Sequence, residues 1–391
     1  MVAIICEFNP FHNGHQYIIE TAKRLTNEPV LAVMSGSFCQ RGEVAVCSKF
    51  ERAATALRYG ADIVAELPSV HAVSCAQRFA QAGVHIAKAF ESTGCLAFGC
   101  EDDDLTALQT AADAFQNEAV NQKIAFLMKN GAYYPQAAEQ AVREVCGDAA
   151  ADMLTQPNTV LAVEYLRALR GSPVKPLPIR RVGAAHHSRE SCGSFLSASA
   201  IRERLRRGED VSAFMPEPPS EITFPPLLER AVLYRLRTMT AAQLRALPEV
   251  GEGLENRLAA AVKISRSVEE IIAAVKTKRY THARLRRILC CALLGVTESL
   301  QAQRADHVRV LGFSQAGAAL LKTCRLPVVT SVAKAMRTDS LTADFLRRDI
   351  LATDTAALAY QAVKPCGADY HTKLIRSYSP APPDDQKDFL R

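Results

Sequence analysis

Two histidines, His12 and His15, flank Asn13 and Gly14 in the stretch FNPFHNGH (residues 8–15). They are the first side chains in the chain whose types and spacing suit chemistry. An imidazole pair in a turn can donate to an anion, ligate a metal or simply cap a helix. The metal reading is weak, because the turn offers no cysteine and no third histidine. Gly14 instead suits close approach of the backbone to a ligand. The residues that follow, QYIIETAKRL, carry apolar side chains at helical spacing. The histidines therefore stand at a helix N-terminus, where free N–H groups and the helix dipole favour negative charge. With Asn9, Pro10 and Asn13 in the same turn, the arrangement suits a triphosphate whose oxygens accept hydrogen bonds from the imidazoles. The dipole alone disfavours a charged imidazole, and a bound polyphosphate reverses that preference.

A second cluster lies in FLSASAIRERLRRG (195–208). Ser197 and Ser199 precede a helical run as N-cap residues do, and Arg202 falls in its first turn. Alone this is a common helix start. Beside the histidine turn it reads as a second phosphate-binding terminus, with Arg202 presenting a fork that fits phosphate oxygens. Further on, VKTKRYTHARLRRIL (275–289) gathers Lys276, Lys278, Arg279, Arg284, Arg286 and Arg287 around Tyr280. A basic stretch with an aromatic suits RNA phosphates and base stacking, although charge runs are commonly solvated faces.

These groups need elements to hold them. VAIIC before the histidine turn is a short apolar run of the kind that makes a buried strand. Strands are also expected at 30–36, 62–68, 95–99 and, as the last one, 174–183. Helices are expected at 49–61, 76–90, about 104–130, 136–154 and 158–170, with Asn158 at or before the start of the last. Alternating strands and helices predict an α/β domain, a Rossmann-like doubly wound parallel sheet with both faces covered. In that architecture ligands sit beyond the carboxyl ends of the strands, where EFNPFHNGH and FGCED both fall. PEPPSEITFPP (216–226) holds five of the chain's 19 prolines and reads as a boundary. Residues 1–215 form the expected nucleotide-binding domain, and 227–391 a mostly helical, basic domain.

The bulk properties agree. The chain has 391 residues, 48% hydrophobic and 23% charged, which suits two soluble domains. The net charge of +6 permits a nucleic-acid partner without requiring one. No run reaches the ~18 apolar residues of a membrane span, and no basic leader precedes the first strand; a cytoplasmic location is expected. The twelve cysteines are scattered through apolar segments and read as reduced, buried thiols.

The histidine turn and the serine-rich turn resemble the HxGH nucleotidyltransferase superfamily. The ordered set EFNPFHNGH, VMSGSFCQRGE, GADIVAELP, FGCED, PNTVLAVEYLRAL, KRYTHARLRRIL and RVLGFSQAG is similar to the tRNA(Met) cytidine acetate ligase family over nearly the whole chain. That resemblance implies an enzyme that activates acetate with ATP as acetyl-adenylate, releasing pyrophosphate. It would then acetylate N4 of the wobble cytidine of elongator tRNA(Met). It also implies ATP contacts from Ile5, Cys6, Glu7, Phe8, Asn9, Pro10, Phe11, His12, Asn13, Gly14, His15, Gln16, Tyr17 and Ile18, and from Gly99, Asn158, Arg181, Ser197, Ser199 and Arg202. His12, His15 and Arg202 are the expected catalytic donors, with magnesium on the triphosphate and no dedicated metal motif. Lys49 and Arg52 share a helix face. That face is either solvated or in contact with ATP, acetyl-adenylate or the tRNA, to which they are assigned with the 276–287 cluster. Two departures stand out. The family often has Tyr-His-Asp where this chain has His186, His187 and Ser188, and two asparagines where it has Asn158 and Thr159. The alternatives are a small-molecule nucleotidyltransferase using ATP and a non-catalytic nucleotide- and RNA-binding protein. The oligomeric state is left open.

Overall fold

The computed structural model describes residues 1–182 and 193–377; His186, His187 and Ser188 lie outside them. Every residue of strand β1 (Val2–Cys6) is buried. Ala3 and Ile5 enter one hydrophobic core, while Val2, Ile4 and Cys6 enter another on the opposite face. A strand buried on both sides belongs in the middle of a covered parallel sheet. β1 indeed pairs in parallel with β2 (Val30–Ser35) and β6 (Cys95–Cys100). Outward from these lie β5 (Ile63–Leu67), parallel to β2, and β7 (Lys175–Arg180), parallel to β6. A small hairpin of β3 (Phe38–Cys39) and β4 (Glu43–Val44) projects between β2 and β5 in sequence.

Helices α1 (Asn13–Thr26) and α2 (Lys49–Arg58) supply Ile19, Ala22, Ala53, Ala56 and Leu57 to the core on one face. After the short α3 (Ser69–Ala72), α4 (Ala76–Ala89) covers the other face, with the four helices that lie within 105–152 and the Pro157–Leu169 helix. α4 comes close enough that a Cβ on Gly83 would lie 2.6 Å from Ile5 Cδ1.

The expected domain division needs redrawing. Strand β7 is not the last: β8 (Val308–Ser314), β9 (Val328–Val329) and β10 (Ile375–Ser377) join the same sheet. Its order is β10-β8-β5-β2-β1-β6-β7, with β9 also paired to β8. β8 runs antiparallel to β5, and the chain passes through β6, β7 and the helical segment after them before it returns to pair there. The purely helical part is therefore the insertion from Pro225 to Gln301, built around a core that includes Leu236, Leu258, Ile272, Leu285 and Leu289. The pattern RVLGFS within 309–314 is a strand signal that the helical surroundings obscured. The proline-rich segment is no free tether. Thr223 is buried and donates its N–H to the Val46 carbonyl and its hydroxyl to the Ala45 carbonyl, each at 2.8 Å.

The hairpin seats the helical insertion. Gly42 has φ of +77°, and a Cβ there would lie 2.7 Å from the backbone carbonyl of Arg286, in the His282–Leu294 helix. Gly42→Ala combines left-handed strain with a clash that backbone cannot relieve. We expect it to destabilise the protein by roughly 1–3 kcal/mol, read as a lower urea midpoint at an unchanged slope.

Candidate active site

The turn after β1 is built by its aromatic residues. Phe8 and Phe11 are buried, with ring centroids 4.9 Å apart, and both pack on His15, at 5.0 and 5.9 Å. Ile5 and Cys6 are core residues, Asn9 Oδ1 accepts from the Val46 N–H, Tyr17 packs against Phe195, and Gln16 bonds Glu20. These side chains shape the turn. His12 and His15 are the two that the turn presents.

His12 is the N-cap of α1 and its Nδ1 accepts from the Gly14 N–H at 3.1 Å. His15 Nδ1 in turn accepts from the His12 N–H at 3.3 Å. The rings stack with centroids 3.7 Å apart. With both Nδ1 atoms accepting, each neutral imidazole carries its proton on Nε2 and offers it as a donor. Burial, then the positive fields of Arg181 and Arg202, lowers the His12 pKa to about 3. Burial, His12 and Arg181 likewise hold His15 well below the ordinary value. Both are neutral donors at pH 7 in the free protein. Unfolded His12 takes up a proton near pH 6.5 and the folded one near 3, so its contribution is present above 6.5 and is lost as pH falls through that window. In parallel urea titrations at pH 7 and pH 5, the stability lead of wild type over His12→Asn should shrink at pH 5.

The Ala198–Arg206 helix arrives beside this turn. Ser197 caps it by accepting from Ala200 N–H at 3.3 Å, and the Ser197 and Ser199 hydroxyls lie 3.1 Å apart. Arg202 donates to the Asn9 carbonyl at 2.8 Å. Asn13 Nδ2 donates to the carbonyls of Ser194 and Ala213, at 2.9 and 3.1 Å. The two helix starts are thus sewn together, with Arg202 between them.

At the ends of β6 and β7 a second part of the site forms. Gly99 is needed for packing, because a Cβ there would lie 2.9 Å from Ile18 Cδ1 and 3.4 Å from Arg181 Cγ. Asn158 is inside the first turn of its helix, not its cap, which is Gln156. Asn158 Nδ2 donates to Glu101 Oε1 at 2.6 Å, and Thr159 donates its N–H and hydroxyl to Oε2 at 2.9 and 2.8 Å. Burial works against the Glu101 carboxylate, but the bonds from Asn158 and Thr159 prevail and hold its pKa below the usual range. Sequence reasoning missed Glu101; its signal was a carboxylate directly after a strand end, within FGCED. Burial lowers the Arg181 pKa, with Glu101 and Cys100 opposing. Arg181 acts on both histidines electrostatically, which joins the two parts of the site. Glu7 Oε1 accepts from the Gln40 N–H at 2.6 Å, and burial raises its pKa against the pull of Arg202, Arg52 and Arg41.

Several residues assigned to RNA are placed elsewhere. Lys49 and Arg52 are each 1% exposed, so their helix face is neither solvated nor open to RNA. Lys49 Nζ lies 2.8 Å from both Glu66 Oε1 and Asp369 Oδ1, and Arg309 reaches the same two carboxylates at 2.9 and 2.5 Å. Buried Asp349 borders this cluster, where burial and Glu66 push its pKa up to about 7 against Lys49 and Arg309. Arg52 donates to the carbonyls of Glu7, Ser35 and Gly36 and so braces the floor of the histidine turn. Tyr280 is a core residue of the helical insertion, unavailable for stacking on a base. Arg287 pairs with Glu249 through two bonds of 2.7 Å, Arg286 with Glu269 at 2.6 Å, and Arg284 with the Glu249 carbonyl at 2.6 Å. Their charges are spent on holding the insertion together. Lys276, Lys278 and Arg279 remain exposed, Arg279 at 3.5 Å from Glu252.

The described cysteines form no disulfide, and no described helix is long and apolar enough to cross a membrane. Among the described residues no group of three or more His, Cys, Asp or Glu side chains is arranged to hold a metal ion.

Against known proteins, residues 1–370 match the HIGH Nucleotidyl Transferase family. A tRNA(Met) cytidine acetate ligase of Thermoanaerobacter sp. (strain X514) is 35% identical, over 96% of this chain and 99% of that protein. One from Syntrophotalea carbinolica is 38% identical over 85% of each. Among solved structures, apo Thermotoga maritima TmcAL superposes with a TM-score of 0.89 at 29% identity, covering 97% of this chain and 99% of that one. The form of the same protein bound with alpha-thio ATP gives 0.86 at 28% identity, with the same coverage.

Proposed function

Because the chain belongs to the HIGH Nucleotidyl Transferase family, and matches its tRNA(Met) cytidine acetate ligases from end to end, we propose that it is an ATP-dependent ligase that acetylates N4 of the wobble cytidine of elongator tRNA(Met). The observation that carries this reading is the stacked pair of neutral imidazoles at the start of α1, with Arg181 and Arg202 beside them. We propose that these four groups donate to a triphosphate seated at the helix N-terminus.

In the first step acetate attacks the α-phosphorus of ATP. A carboxylate oxygen–phosphorus bond forms, the bond to the β-phosphate bridging oxygen breaks, and pyrophosphate leaves. Negative charge builds on the phosphoryl oxygens and on the leaving group. The two Nε2–H groups and the guanidinium of Arg202 offset it without reorganising. Magnesium, lacking a cluster of protein ligands among the described residues, would arrive on the triphosphate. In the second step the cytidine N4 amine attacks the acetyl carbonyl of acetyl-adenylate. A carbon–nitrogen bond forms, AMP leaves, and the amine loses a proton. Lys276, Lys278 and Arg279, the exposed remnant of the basic stretch, are proposed to contact tRNA phosphates.

The test is exchange of labelled pyrophosphate into ATP. Exchange that requires acetate, together with acetate-dependent formation of N4-acetylcytidine in a tRNA(Met) transcript, is the expected result. ATP binding without exchange, with acetate or other carboxylates, would overturn the adenylate route. Glu101→Ala removes the acceptor that holds Asn158 and Thr159 in place. It should weaken ATP binding about tenfold, a loss on the scale of one charged hydrogen bond, in equilibrium titrations of the two proteins.

A further inference from the structure

On the sheet face that carries α4, a cavity of about 450 Å³ opens between α4, the Pro157–Leu169 helix and the 301–305 segment that leads into β8. α1 packs on the opposite face, so the sheet separates this cavity from the histidine turn. Its lining includes Arg78, Lys88, Arg167 and Arg304, the imidazoles of His71 and His85, and no carboxylate.

Two of the guanidinium groups are fixed in the wall. Arg78 is held by Glu298 at 2.9 Å and Gln301 at 2.8 Å, and Arg167 by Glu164 at 2.6 Å. Lys88 and Arg304 are exposed at the rim and have no ion-pair partner among the described residues. The histidines pin the far wall: His71 Nε2 donates to the Gln303 carbonyl at 2.9 Å and His85 Nε2 to the Ala305 carbonyl at 2.8 Å. Those bonds leave His71 Nδ1 buried without a partner, on a residue only 5% exposed. Burial keeps His71 neutral, its pKa lowered to about 4, and the positive fields of His85 and Arg78 push the same way. Glu298 and Glu164 neutralise the two wall guanidinium groups, so the net field of the cavity comes from Lys88 and Arg304. A concave site with two unpaired cations and no carboxylate in its lining concentrates anions, and its volume is in the range of small-ligand sites.

We propose that this cavity is a second anion site that takes a phosphate group, supplied either by the backbone of the RNA substrate or by a free phosphorylated small molecule. Lys88 and Arg304 are its free cations, with Arg304 able to meet two phosphate oxygens at once. The 301–305 wall is already fixed by His71 and His85, so the site needs no loop closure to form. The RNA source rests on the proposed function, whereas the small-molecule source stands without it.

The test begins with crystals of the full chain soaked in sodium tungstate, for wild type and Lys88→Glu/Arg304→Glu. Both residues lie on the surface, so the variant should fold. An anomalous peak in the wild-type cavity that is lost in the variant is expected. No peak, or one that persists in the variant, overturns the proposal. Solution binding then separates the sources, with the ATP site filled by a non-hydrolysable ATP analogue. A fall of about tenfold or more in tRNA affinity, with a salt dependence shallower by about one or two charges, identifies the RNA backbone. Unchanged tRNA binding with lost binding of inorganic pyrophosphate identifies a small ligand. If neither binding changes, the proposal fails, and acetate-dependent pyrophosphate exchange reports separately on the proposed function.

Discussion

Replacing His15 by alanine should slow acetate-dependent exchange of pyrophosphate into ATP by about 10²–10³-fold, the cost of losing one preorganised donor in a water-poor site. The size follows from how His15 is held. Its Nδ1 is engaged by the His12 N–H, Phe8 and Phe11 pack on its ring, and His12 stacks on its face. The donor is therefore aimed before the nucleotide arrives. Alanine also leaves the His12 N–H without its side-chain acceptor, which adds a stability cost of about 1 kcal/mol. The fold should survive. Steady-state exchange should show the loss mainly in the maximal rate, while ATP affinity falls less. A variant that exchanges within threefold of wild type would remove His15 from the chemical step.

The second large effect concerns stability. Lys49→Met should destabilise the protein by about 3–5 kcal/mol, the range seen when one member of a buried ion pair is removed. Glu66 and Asp369 would lose the shared ammonium and keep only Arg309. Buried carboxylates short of a cation raise their pKa values. Folded Lys49→Met should then hold protons that the unfolded chain has released, and its stability should fall as pH rises from about 5 to 8. Asp349, with its pKa already raised to about 7, gives wild type a fall of the same sign. Urea unfolding of both proteins at those two pH values is therefore the measurement, and the fall should be steeper in the variant. Adding Glu66→Gln should cost less than the sum of the single changes, because it removes one of the stranded charges.

Lys49 also shows where sequence reading ends. Its spacing from Arg52 identified a shared helix face, and spacing does not say which way a face points. The partners that bury it, Glu66, Arg309 and Asp369, come from three distant segments. The histidine turn was legible because strand, turn, glycine and helix are consecutive and each dictates its neighbour. The central strands were legible from their apolar runs, and β8 was missed because its neighbours in sequence are helices while its partner β5 is far back in the chain. In the basic stretch, composition suggested an RNA surface. The acidic partners that neutralise much of it lie elsewhere in the chain, Glu269 in the preceding helix and Glu249 in a loop two helices back. Glu101 was overlooked because its meaning depends on Asn158 and Thr159, across the sheet end.

The late return of β8 to the sheet sets an order for synthesis. β1, β2, β5, β6 and β7 leave the ribosome first, and the outer edge of β5 has no partner until Val308–Ser314 emerges. At about 5–20 residues per second that wait is on the order of tens of seconds. Throughout it an apolar strand edge stays open, and Lys49 and Glu66 lack Arg309 and Asp369. A nascent chain stalled before residue 308 should therefore be protease-sensitive and chaperone-bound, and one extended past Asp369 should not.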